Sequence, residues 1–152
     1  MEAILIDQAL RLVPYYPCPE VTLEWYQDPQ LCLQVDHTTT PYTLEVLEKM
    51  YHYLSTHGRC YYIEYLGQLT GDISLLDNGE LCIVVAPEFQ NQHLGRRSVQ
   101  AILELAERCG FEEVHANVYR FNHQSQRMFE AIGFERVAEE WYQYRLDQDK
   151  IK

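Results

Sequence analysis

The chain has 152 residues, 47% of them hydrophobic, and a formal net charge of −11, enough apolar material for one globular domain and a charge that repels nucleic acid. It contains no run of about 18 apolar residues, which excludes a membrane-spanning helix, and Met1-Glu2-Ala3 opens without the basic region of a secretion signal. The five cysteines (Cys18, Cys32, Cys60, Cys82, Cys109) are odd in number and lack Cys-x-x-Cys spacing, which argues for reduced thiols in a cytoplasm and against a zinc site.

Residues 9–13 predict a first strand, ended by the proline-rich Pro14-Tyr15-Tyr16-Pro17-Cys18-Pro19. Residues 20–27 predict a short helix, broken by Asp28-Pro29. Thr40-Pro41 reads as an N-cap followed by a proline at the first helical position. The helix after it places Leu47, Met50, Tyr51 and Leu54 on one face and stops at Gly58. Residues 60–66, 69–76 and 80–85 predict antiparallel strands joined by turns at Gly67-Gln68 and Asp77-Asn78-Gly79. Residues 94–109 form the main amphipathic helix, with Val99, Ile102, Leu103, Ala106 and Cys109 inward and Gly110 as its stop. A strand at 113–118, a helix at 122–132 closed by Gly133, and strands at 134–137 and 141–146 complete the chain. This order predicts one α/β domain: a mixed, mostly antiparallel central sheet with helices on both faces.

Charge is unevenly spread. Pro14 to Gly95 holds two basic residues, Lys49 and Arg59, against eleven acidic ones, a balance of −9. Arg96 to Arg136 holds six arginines against six glutamates. The arginines stand where an anionic cofactor would dock, and the acidic remainder suits a cationic substrate. Acidity that serves solubility alone is an equal alternative.

The segment Val84 to Arg97 reads as a buried strand, a turn and a helix opening. Free backbone N–H groups and the positive dipole end make such an opening a phosphate site. Its pattern, Gln90-x-x-His93-x-Gly95-Arg96, resembles the pyrophosphate loop of GCN5-related N-acetyltransferases, usually Gln/Arg-x-x-Gly-x-Gly/Ala. Asn122-His123-Gln124-Ser125-Gln126-Arg127-Met128-Phe129-Glu130-Ala131-Ile132-Gly133-Phe134 is similar to the second signature of that family. Upstream, Trp25-Tyr26-Gln27-Asp28-Pro29 resembles a segment of its ribosomal-protein and aminoglycoside acetyltransferase branch. The resemblance covers about the C-terminal half. It implies the acyl-CoA N-acyltransferase fold, acetyl-CoA as cofactor, and transfer to a primary amine.

By the same resemblance, the main chain of Ile83, Val84 and Val85 pairs with the pantetheine arm, as an added strand would. Gln90, Asn91, Gln92, His93, Leu94, Gly95 and Arg96 hold the diphosphate. Asn122 contacts the cofactor arm and caps its own helix, and Phe129 lines the same groove. Two residues depart from the family. His93 replaces a loop glycine, a steric substitution before a functional one. Phe129 stands where a tyrosine often protonates the departing thiolate, and phenylalanine has no proton to give. The position of a family glutamate is Asn117, which is no base at neutral pH.

No single general base emerges. Glu80 and His115 are weak candidates, the histidine for its ordinary pKa; Glu80, Glu64 and Asp72 all lie on the predicted central strands and could act directly or through water, each being expected to face the surface. The leading expectation is an acetyl-CoA-dependent N-acetyltransferase. Phe129 and Asn117 keep a non-catalytic acetyl-CoA-binding or regulatory module as the alternative. A structural domain that has lost the cofactor is disfavoured by Gly95, Asn122 and the arginines. The acidic half favours polyamines, aminoglycosides or a basic peptide N-terminus as acceptors, and a homodimer stays open. Tyr15, Tyr16, Trp25, Tyr26, Tyr51, Tyr53, Tyr61, Tyr62 and Tyr65 form an aromatic set that packs the core before it lines a cation pocket.

Overall fold

The computed structural model describes residues 1–36 and 38–146. In chain order these form β1 (Ile4–Leu5), β2 (Leu10–Pro14), α1 (Pro19–Trp25), α2 (Pro29–Asp36), α3 (Leu44–Thr56), β3 (Gly58–Tyr65), β4 (Gln68–Leu76) and β5 (Leu81–Val85). A short 3₁₀ turn, Pro87–Phe89, leads to α4 (Leu94–Arg108), β6 (Glu113–Asn117), α5 (His123–Ile132), β7 (Glu135–Ala138) and β8 (Trp141–Arg145). The first five strands make an antiparallel sheet in sequential order, and the last three make a second sheet in the order β6-β8-β7. The two sheets meet at a parallel bridge between Glu80 and His115. No described helix is long and apolar enough to cross a membrane.

Strand alternation divides the large sheet into two cores. Tyr61, Ile63, Ile73 and Leu75 pack on one side against Val99, Ile102 and Ala106 of α4. Cys60, Tyr62, Leu76 and Val84 pack on the other against Trp25, Leu47, Tyr51 and Leu54 of α1 and α3. Helices therefore cover both faces, as the element order predicts. The consequence for β4 is burial on both sides from Thr70 to Leu76, so its polar residues Asp72 and Ser74 are interior.

Several local expectations change. The cap of α3 is Thr43, not Thr40: its hydroxyl accepts from Val46 N–H at 3.2 Å. Asp28-Pro29 begins a helix rather than ending one. The Asp28 carboxylate accepts from Gln30 N–H at 2.8 Å and Leu31 N–H at 3.3 Å, and Pro29 sits where its missing N–H costs nothing, so α2 follows at once. The β3–β4 turn is centred on Leu66 and Gly67, both at positive φ (52° and 80°), the geometry of a primed hairpin turn. Gly58 follows the C-cap of α3, His57, where the helix stops as expected, but it lacks the positive φ of a helix-ending glycine. It begins β3 where any Cβ would run into the main chain of Leu75 and Leu76. Cys109 lies past the end of α4 and is exposed rather than inward.

Candidate active site

β5 and β6 touch at one end and then part. His115 N–H donates to Gly79 O at 3.0 Å beside the Glu80 bridge. Beyond that point β6 pairs only with β8. Leu76 N–H donates to Glu80 O and Ala86 N–H to Thr70 O, each at 2.8 Å, while Asp72–Val84 and Ser74–Cys82 fall between them in register. Antiparallel alternation then turns the main-chain groups of Leu81, Ile83 and Val85 outward into the gap. Val84 has its main chain facing β4, so what it offers the site is its side chain. The cavity between the strands measures about 750 Å³ and runs from the α4–α5 side, through the gap, to the face covered by α1–α3.

The α4 end is electropositive. Asn91 and His93 both adopt left-handed backbone (φ 65° and 63°), which turns the loop sharply into the helix. His93 is the N-cap but makes no side-chain cap bond, and no acidic residue occupies the first turn. The first-turn N–H groups thus lack intrahelical acceptors and carry the positive end of the helix dipole. Arg96 on α4 and Arg127 on α5 line the same cavity. Gly95 is the tight packing point. A Cβ there would lie 3.3 Å from Met128 Sδ and 3.5 Å from Ile83 Cδ1, so glycine lets α4 approach both α5 and β5. Gln90 donates its side-chain amide to Val85 O at 2.9 Å, tying the loop to the strand end. The side chain of Asn122 accepts from Ser125 N–H at 3.2 Å, the cap expected for α5, and Asn122 also lines the cavity.

The other end is apolar and aromatic around one buried acid. Leu31, Val35, Met50 and Leu54 line it beside Tyr26 and Tyr42, whose rings stand 4.9 Å apart. Asp72 is 2% exposed. The hydroxyls of Tyr26 and Tyr51 donate to its Oδ2 at 2.6 and 2.8 Å. Burial raises the Asp72 carboxyl to about 6, and the two hydroxyl bonds only partly oppose that rise. Burial likewise pushes the Tyr42 hydroxyl and the Cys82 thiol each up to about 12, with the Glu80 carboxylate adding to the rise on Cys82.

The cavity brings together Ile83, Val84, Val85, Gln90, Asn91, His93, Leu94, Gly95, Arg96, Asn122, Phe129 and Glu80. Gln92 stands apart: it is exposed, and its amide donates to Glu88 O at 3.5 Å. His115 also falls outside the lining: it sits where β5 and β6 still touch, beside the Glu80 bridge, with its ring 5.7 Å from that of Trp141 and against Gly79. Arg97 pairs with Asp7 and Glu64 with Arg11 on the surface. The expected surface placement of Asp72 is corrected: double-sided burial of β4 puts it inside. The aromatic set also divides. Tyr15, Trp25, Tyr26, Tyr51 and Tyr62 share one core, Tyr61 packs in the other, and Tyr53 stacks on His57 at the surface. Arg127, one of the six arginines of the charge-balanced segment, lines the cavity, and so do Tyr42 and Tyr119, which no sequence pattern marks. Tyr42 precedes α3 in an irregular stretch, where no periodic pattern marks it.

This architecture, two sheets splayed over a helix N-terminus, coincides with a match to the acetyltransferase (GNAT) family across residues 22–134. The chain belongs to that family. N-acetyltransferase family 8 member 3 of Mus musculus is 26% identical over 103 residues, which is 60% of this chain and 46% of that protein. The chain thus spans about half the length of the curated relatives it matches. Among solved structures, the ribosomal L7/L12 alpha-N-protein acetyltransferase RimL in complex with coenzyme A superposes with a TM-score of 0.77 at 15% identity, over 96% of this chain and 99% of that one. The putative acetyltransferase yncA of Salmonella typhimurium, solved with acetyl-CoA, gives 0.70 at 18% identity over 93% and 96%. At such identities the likeness is one of fold.

Proposed function

We propose that this protein is an acetyl-CoA-dependent N-acetyltransferase acting on a primary amine. The observation that carries the reading is the cavity itself: it joins an uncapped helix N-terminus with two arginines to an acid-containing aromatic pocket, through a gap lined by free strand edge. Family membership and the ligands in the solved relatives, coenzyme A with RimL and acetyl-CoA with yncA, support it.

The residues fit the cofactor. The first-turn N–H groups of α4, with Arg96 and Arg127, would hold the diphosphate. The outward main chain of Ile83 and Val85 would pair with the pantetheine amides, and Gln90 secures the Val85 end of that edge. When bound, acetyl-CoA supplies an activated acetyl thioester. Leu31, Val35, Met50 and Leu54 exclude water from the acceptor side, so that the amine rather than water reaches the reacting carbon. Phe129 offers no proton, but the hydroxyls of Tyr119 and Ser125 belong to residues on the same wall and stand as the donors near α5.

The acceptor is read as cationic because the acids Asp72 and Glu80 sit on its side of the cavity, inside the segment of net charge −9. Calorimetric titration with coenzyme A tests the cofactor half of this reading. Saturable 1:1 binding that Arg96→Glu weakens supports it, and the absence of any binding heat overturns it.

A further inference from the structure

We propose that Asp72 is the docking point and proton acceptor for the ammonium group of the acceptor amine, with Tyr26 and Tyr51 as positioning residues that hold its carboxylate. The inference rests on the N-acetyltransferase reading and names the acceptor class for that site.

Asp72 lines the cavity yet is almost wholly withdrawn from solvent, and the neutral hydroxyls of Tyr26 and Tyr51 both donate to a single oxygen, Oδ2. Among the described residues no lysine, arginine or histidine forms an ion pair with it. A buried carboxylate is strongly unfavourable unless a cation or a full set of donors meets it. Two hydroxyls on one oxygen leave the charge undercompensated. A ligand that brings its own positive charge completes the set.

The surroundings define the rest of that ligand. Tyr26 and Tyr42 present two ring faces 4.9 Å apart at centroids, and Leu31, Val35, Met50 and Leu54 complete an apolar wall. An ammonium on an apolar or aromatic stem suits this pocket through the carboxylate and the rings together. A polyamine does not, because its further charges would lie against the apolar wall. The position also suits the reaction. Asp72 is the direct cross-strand partner of Val84, so their Cβ atoms are about 5 Å apart, and Ile83 and Val85 on either side of Val84 turn their main chain into the gap.

An ammonium has no free electron pair. For attack, one N–H bond of the ammonium breaks, an O–H bond forms on the Asp72 carboxylate, and the pair stays on nitrogen. The substrate becomes a neutral amine and Asp72 a neutral acid, which later returns its proton to solvent along the open cavity. The titratable groups that face Asp72 are Tyr26 after α1, Tyr42 before α3, Tyr51 on α3, Cys60 and Tyr62 on β3, and Cys82 on β5. Burial raises each above its ordinary value, so none carries charge at neutral pH. Asp72, raised to about 6, is the member of this group that changes charge near neutrality.

The test uses the full chain, wild type and Asp72→Asn, with 2-phenylethylamine, its neutral match 2-phenylethanol, and spermidine as probes. Calorimetry without cofactor should show 2-phenylethylamine binding tenfold or more weaker to Asp72→Asn, with the alcohol indifferent to the change. With acetyl-CoA, kcat/KM should fall about 10²-fold or more, and the rise of kcat/KM through about pH 6 should vanish. Tyr51→Phe removes one holding bond and should move that rise upward in pH, which keeps the test decisive if Asp72→Asn folds poorly. Equal amine affinity and equal pH profiles in wild type and variant overturn the role of Asp72. A clear preference for spermidine overturns the acceptor class. Neither result touches coenzyme A binding, whose absence would instead sink the enzymatic reading.

Discussion

Asp72 has a cost that stability measurements can read. Its folded pKa of about 6 lies above the ordinary value of 3.8, so between those values the folded chain binds more protons than the unfolded one. Stability therefore falls as pH rises from about 4 to about 6 and stays lowered above that. Two pKa units correspond to about 3 kcal/mol, an order-of-magnitude ceiling. Asp72→Asn should be more stable than wild type in urea at pH 7.5 by up to that amount, and the difference should close near pH 4; a variant less stable at both pH values contradicts this. At His93 the backbone is left-handed, which costs a non-glycine residue about 1–2 kcal/mol. His93→Gly should hold or raise stability by up to about 1 kcal/mol, the rest being offset by the freedom of glycine in the unfolded chain. Coenzyme A affinity that stays within a few-fold fits a steric role, and a large loss would assign the imidazole to phosphate. Phe129 is 3% exposed and packs edge-on to Phe134 at 4.9 Å. Phe129→Tyr should speed the chemical step by less than about 10²-fold, with coenzyme A affinity unchanged in calorimetry. Phe129 and His93 were legible because each breaks a pattern at a fixed spacing. The burial of Asp72 was not: strand alternation tells which residues share a face, but not that both faces of β4 are covered.

The elements near the site follow local chemistry that sequence exposes well, except where one residue type serves two purposes. Asp-Pro after a short helix reads as a break, yet the same pair caps and opens α2. The splay of β5 from β6 leaves no trace in side chains, because strand pairing is a long-range choice of register. At α4, Gly95→Asp should lower acetyl-CoA affinity by at least ~2 kcal/mol, through lost hydrogen bonds and a negative charge beside the diphosphate. Because its Cβ meets Met128 Sδ at 3.3 Å, the same variant should also lose stability. A melting curve run beside the calorimetry separates the two effects, and intact binding would remove the loop from the site.

Across the whole molecule, charge and cavity are arranged in the same sense. The acidic segment from Pro14 to Gly95 contributes β4, β5 and the helices over the aromatic pocket, while the charge-balanced segment after it contributes α4, α5 and their arginines. That partition was visible in the sequence, but its meeting in one cavity was not. Attraction of a cationic acceptor to the acidic face should weaken with salt, since the screening length shortens from about 10 Å at 0.1 M to about 3 Å at 1 M. A KM for the amine that rises with sodium chloride agrees with this, and a flat response removes electrostatic steering. The most direct test of the central claim is release of free thiol from acetyl-CoA by the purified chain across a panel of primary amines. Turnover that depends on the amine, is saturable in both substrates and yields the N-acetyl product is the result predicted. Tight coenzyme A binding with no turnover on any amine would contradict it and make the protein a cofactor-binding module in which Phe129 and Asn117 mark a lost activity.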